Sequence, residues 1–149
     1  MKEIEFPLNR YKHCHSVGKK MYAYAKERLG WDEERCQKMF VLGVLHDIGY
    51  ELDGSLYGRG TLLANILNGY KFADEIDKHC ILHKSISEEL ALLYYADATV
   101  DGQGNWCRYE ERDADIIRRY GTDSPNRKDG VRLLEFLKEQ GFDDTFGLT

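Results

Sequence analysis

The chain has 149 residues, 42% of them hydrophobic and 32% charged, with a formal net charge of −5. That length suits one domain with a conventional buried core, and no apolar run approaches the roughly 20 residues that a membrane-spanning helix needs. The acidic balance argues against a nucleic-acid polymer as the main partner, because a phosphate backbone calls for a net basic face. A small anion is a different matter: His13, Lys12, Lys84, Arg108 and Arg112 are available to hold one phosphate.

The first residues, MKEIEFPLNRYK, lack the apolar stretch of a secretory signal, so the expected location is the cytoplasm. Cys14, Cys36, Cys80 and Cys107 are widely spread with no C-x-x-C pair and read as free thiols. Few prolines and no alternating β-branched runs predict an all-α chain of about seven helices in a single domain spanning 1–149.

In chain order, Ile4, Phe6 and Leu8 make an extended arm, and Asn9 is placed to cap a helix over Arg10–Leu29. Its apolar residues Tyr11, Cys14, Val17, Met21, Tyr24 and Ala25 recur at mostly three- and four-residue spacing. After Gly30, Asp32 with Glu33 and Glu34 reads as an N-cap and an acidic first turn, which suits the positive end of the helix dipole. The helix that follows includes MFVLGVLHDIGY (Met39–Tyr50). It is apolar nearly all round, predicts a buried core helix and ends near Ile48 in the polar pair His46-Asp47.

Glu51–Gly60 is a glycine-rich polar loop beside that pair, Thr61–Leu67 a short helix and Ala73–His83 another, with His79 and His83 one turn apart. Ser85 or Ser87 caps a helix over Ile86–Thr99 that carries Asp97 near its end. Asp101–Asn105 is a loop, Tyr109–Tyr120 a charged helix, and Ser124-Pro125 opens the last helix, which closes at Gly141. The tail FDDTFGLT is expected to fray. Tyr22, Tyr24, Tyr94 and Tyr95 are assigned to packing rather than to base stacking.

A buried imidazole and carboxylate cost several kcal/mol unless hydrogen bonds, an ion pair or a metal satisfy them. His13, His46, Asp47 and Asp97 together make a mixed nitrogen and oxygen donor set. It suits one divalent ion, with Mn, Fe, Co, Ni, Zn and Mg not distinguishable from sequence. Four protein ligands on an octahedral ion leave positions for a water and a phosphate oxygen, the requirements of phosphoester hydrolysis.

These motifs resemble the HD superfamily of metal-dependent phosphohydrolases. Arg10 and His13 followed by Val17 resemble its first motif, VLHDIG at 44–49 the second, and YYADATVDGQG at 94–104 the third. The likeness covers a motif-bearing core of about 10–104. RRYGTDSP at 118–125 resembles the C-terminal helices of some small bacterial members, within helices expected over about 108–140. The resemblance implies a helical HD domain binding one metal through His13, His46, Asp47 and Asp97, with His13 preferred to His15 by the residues around it. It also implies a small phosphorylated substrate, a nucleotide, and Asp47 orienting or deprotonating the attacking water. His83, Lys84, Asp53 and Arg59 are the candidate substrate contacts. Tyr50 stands where many members carry lysine, and Tyr57 where dinuclear members carry a histidine, which favours a single ion. The alternative is a non-catalytic HD-type module that binds a nucleotide or metal for regulation. Homo-oligomerisation stays open.

Overall fold

The computed structural model describes residues 8–46 and 87–148. Among them are five helices: α1 Leu8–Glu27, α2 Glu33–Leu45, α3 Glu88–Ala98, α4 Tyr109–Tyr120 and α5 Pro125–Glu139. Among the described residues there is no strand, only an isolated antiparallel bridge between Val100 and Trp106, and the fold is all-α as expected. The arm at 1–7, the loop at 51–60, the helices expected at 61–67 and 73–83, and with them the count of about seven, lie outside the described residues. No described helix is long and apolar enough to cross a membrane.

The helix starts follow local chemistry. Asp32 accepts the Arg35 N–H at 2.8 Å at the head of α2, and Ser87 accepts the Leu90 N–H at 3.0 Å at the head of α3, which decides between the two serines. Ser124 does the same for α5 with the Arg127 N–H at 3.1 Å, followed by proline at the first helical position. α1 already begins at Leu8, one residue before Asn9.

Two expectations are corrected. The helix buried nearly all round is α3, not α2. Leu90, Leu92, Leu93, Tyr94, Tyr95, Ala96 and Ala98 are all buried, because α3 packs against α1, α2 and α5. In α2 one face, Cys36, Met39, Leu42 and Gly43, is buried, while Val41 is 41% exposed and, with Lys19, Tyr22 and Phe40, borders an apolar hollow of about 410 Å³.

The tail does not fray. Phe142 lies against Tyr95 and Tyr24, with ring centroids 5.0 and 5.5 Å apart, and Phe146 against Tyr24 and Trp106 at 5.1 and 6.0 Å. Backbone groups fasten the same segment. The hydroxyls of Tyr95 and Tyr109 donate to the carbonyls of Asp143 (2.6 Å) and Phe142 (2.9 Å), and Asp144 accepts the Tyr109 N–H at 3.0 Å. Buried rings with satisfied hydroxyls outweigh the polarity of the intervening residues.

The most extensive helix contact is between α1 and α2, and it is made close by glycine. A Cβ at Gly43 would lie 2.5 Å from the Gly18 Cα, and one at Gly18 would lie 2.7 Å from the Phe40 carbonyl oxygen. The two backbones therefore touch where neither can carry a side chain. Gly43→Ala is expected to lower unfolding stability by about 1–3 kcal/mol through overpacking. Gly102→Ala, where an added Cβ meets nothing within 4 Å, should stay within about 0.5 kcal/mol. Urea denaturation of the two variants beside the parent chain checks the contrast.

Candidate metal centre

The crossing of α1 and α2 brings His13 and His46 together, and α3 delivers Asp97 to both. His13 Nε2 lies 2.9 Å and His46 Nε2 3.2 Å from the same oxygen, Asp97 Oδ1. The two imidazole rings are 5.6 Å apart between centroids and tilted by 58°. One donor atom from each of the three residues lies within 4.8 Å of the others.

The opposite ring nitrogens set the protonation. His46 Nδ1–H donates to the Gly43 carbonyl at 2.5 Å and His13 Nδ1–H donates to the Asp101 carbonyl at 3.0 Å. With each neutral ring carrying its proton on Nδ1, both Nε2 atoms present lone pairs to a carboxylate oxygen that also has only lone pairs to offer. Three acceptors facing one another call for a cation between them, either a proton or a metal. Imidazoles anchored through Nδ1 to backbone carbonyls are in the arrangement that orients metal-ligating histidines. The residues present therefore fit a divalent ion.

The electrostatics agree. Burial by itself would raise the Asp97 carboxyl. With a proton between the rings and the carboxylate, the charge of His46, hydrogen bonding from His13 and His46, and the charge of His13 outweigh it and hold that carboxyl well below the usual carboxylate range. His46 is fully buried at the C-cap of α2, and Asp97 keeps 28% of its side-chain surface, so the cluster is reached from the Asp97 side.

Of the expected site residues, the structure brings together His13, His46 and Asp97. Asp47, Asp53, Arg59, His83 and Lys84, along with Tyr50, Tyr57 and His79, lie outside the described residues. His15 is turned away: it stacks on Tyr11 at 5.8 Å and meets Phe40 edge-on at 5.7 Å, so α1 offers the cluster His13 alone.

Three supporting groups were not found by reading the sequence. The carbonyls of Gly43 and Asp101 have no sequence signature, since every residue carries one. The third is Lys20, whose signal was visible: it falls between Val17 and Met21, on the apolar stripe of α1. Lys20 is fully buried, donates to the Thr99 carbonyl at 3.3 Å, and has its ammonium 5.1 Å from the centre of the Tyr95 ring and 5.0 Å from that of Trp106. Thr99 lies between Asp97 and Asp101, so this cation fastens the turn that holds His13 from both sides. The same turn packs on α1 through Gly104, at φ 85°, where a Cβ would come within 2.8 Å of the Lys12 carbonyl oxygen.

Burial pushes Lys20 down to about 8 against weaker opposing effects of Cys107, Asp144 and Asp143. Between about pH 8 and 10.5 the unfolded chain holds this proton and the folded chain does not. The lysine thus makes stability rise with pH over that window. Cys107, raised to about 11 by burial, works in the opposite sense at the upper end. Lys20→Met should remove the rising component, and comparing urea midpoints of variant and parent from pH 7 to 10 isolates it.

Comparison with known proteins gives one informative relative. The chain is 32% identical over 141 residues to the 3'3'-cGAMP-specific phosphodiesterase 1 of Vibrio cholerae serotype O1. The match covers 91% of this chain but only 29% of the relative, so the chain spans under a third of that protein's length. No family model matches the chain, and no solved structure matches it.

Proposed function

We propose that the chain is a single HD-type domain hydrolysing a phosphoester bond of a nucleotide with one divalent metal, held by His13, His46 and Asp97 together with Asp47. The observation carrying this reading is the convergence of two imidazole Nε2 atoms on one oxygen of Asp97, at 2.9 and 3.2 Å. A relative that is a phosphodiesterase supports it. When bound, a divalent ion supplies Lewis acidity towards a phosphoryl oxygen and towards water.

The chain's own residues supply the rest. The Gly43 and Asp101 carbonyls hold the two rings with Nε2 facing inward. The Asp97 carboxylate stays ionised across the whole neutral range, so the donor set keeps its negative charge. Asp47, next to His46 in the chain, is assigned to orient the attacking water and accept its proton, as a positioned carboxylate can. His83, Lys84, Asp53 and Arg59 remain the proposed substrate contacts.

Purified protein should take up a divalent metal by elemental analysis and hydrolyse at least one member of a panel of cyclic and linear dinucleotides and nucleoside mono-, di- and triphosphates. His46→Ala and Asp97→Asn should each lose bound metal and cut turnover by more than about 100-fold, beyond the loss usual for groups outside the ligand set. Metal uptake without turnover on any substrate would overturn hydrolysis in favour of a regulatory binding module. Absence of metal uptake would overturn the metal centre itself.

A further inference from the structure

A second pocket opens beside the cluster. It has a volume of about 300 Å³, and its wall includes Asp101, the residue whose carbonyl holds His13, together with Glu111, Arg112, Asp115, Arg118 and Arg119 from α4. The formal charges of these side chains cancel, but the hydrogen-bonding capacities do not.

Each carboxylate has at least one oxygen engaged among the described residues. Asp101 Oδ1 accepts the Gln103 and Asn105 N–H groups, both at 2.9 Å. Glu111 accepts the Arg108 N–H at 3.4 Å, within the cap of α4. Asp115 is shared by two guanidinium groups, with Arg118 on one oxygen and Arg119 Nε 3.1 Å from the other. The guanidinium groups are far from saturated. Each has five donors, Arg118 and Arg119 use part of theirs on Asp115, and the Arg112 side chain has no hydrogen bond or ion pair among the described residues. Arg112, Asp115 and Arg119 lie on one face of α4 at helical spacing. Asp115 thus holds Arg119 over the pocket about two turns from Arg112. Guanidinium donors beyond those that the described carboxylates take up suit a tetrahedral phosphate oxyanion, which guanidinium groups bind in bidentate fashion.

We propose that this pocket seats a second phosphate of the substrate, so that the preferred substrate is a dinucleotide with one phosphodiester at His13, His46 and Asp97 and the other at Arg112 and Arg119. This rests on the phosphoesterase reading above for the first phosphate. The pocket itself can be tested without turnover.

Two measurements decide it. In calorimetric titration of protein freed of metal with a chelator, 3'3'-cGAMP should bind, and Arg112→Ala should weaken binding by about tenfold, the loss expected for one charge-assisted contact. Arg112→Lys should recover part of it. In the metal-loaded protein, Arg112→Ala should raise the KM for the dinucleotide by a similar factor, while kcat/KM for bis(p-nitrophenyl) phosphate, which has one phosphate only, stays within about twofold. The Arg112 side chain makes no hydrogen bond or ion pair among the described residues, so the variant leaves the hydrogen bonds described for α4 in place.

Failure of the metal-free protein to bind the dinucleotide, or binding indifferent to Arg112→Ala, overturns the pocket, as does an equal effect on both substrates. If no substrate at all is turned over, the phosphoesterase reading falls, and the calorimetric result alone then decides whether the pocket binds a dinucleotide.

Discussion

The contact on which the rest of the described structure depends is the crossing of α1 and α2 at Gly18 and Gly43. Two helices with ordinary side chains at the crossing stay 8–10 Å apart. Here the backbones meet without a Cβ on either side, and that closeness lets an imidazole from each helix reach one oxygen of Asp97. Gly43 serves twice, since its carbonyl also anchors His46 one turn later. A glycine inside an apolar helix is the reason the cluster can form.

The cluster is held by backbone as much as by side chains. Both Nδ1 atoms are committed to carbonyls, so neither ring can turn to relieve the opposition of lone pairs around Asp97 Oδ1. The geometry is preorganised for a cation, and the depressed Asp97 carboxyl is the electrostatic expression of the same arrangement. A proton satisfies it at the level of charge, but a divalent ion also accepts all three donors at once.

Behind the cluster lies a layer that stiffens it. The ammonium of Lys20, between the faces of Tyr95 and Trp106, fastens the Thr99 carbonyl, which also accepts the Cys107 N–H at 2.8 Å. Trp106 is tied back to α1 through Ser16 at 3.0 Å, and its indole is covered by Phe146 from the tail. The C-terminal residues therefore bear on the site from a distance, by closing the aromatic layer over the cation that steadies the 97–101 turn. Burying a charge in this way costs desolvation, which lowers the lysine's pKa against weaker opposing effects of Cys107, Asp144 and Asp143, while the two rings and one carbonyl face the ammonium.

Much of this was legible in the sequence. Apolar residues at three- and four-residue spacing, with Asp32, Ser87 and Ser124 at the helix heads, carry their structure locally, because a cap acts within one turn of the backbone it satisfies. His13, His46 and Asp97 were marked by being polar where their surroundings are apolar. Other features depended on tertiary contacts. Which helix is central was decided by how many neighbours α3 has, a property of packing that the apolarity of α2 does not contain. The tail was expected to fray, whereas its phenylalanines find partners from α1 and α3 that no local pattern shows. Between His13 and His15 the surrounding residues preferred His13, and the helix direction agrees, sending that ring to Asp97 and the other to Phe40. The sequence by itself determined the donor types and the helices that carry them. Only the tertiary structure decided that two carbonyls, one buried ammonium and a side-chain-free crossing hold those donors face to face, because backbone groups and distances between distant segments have no letter in the sequence.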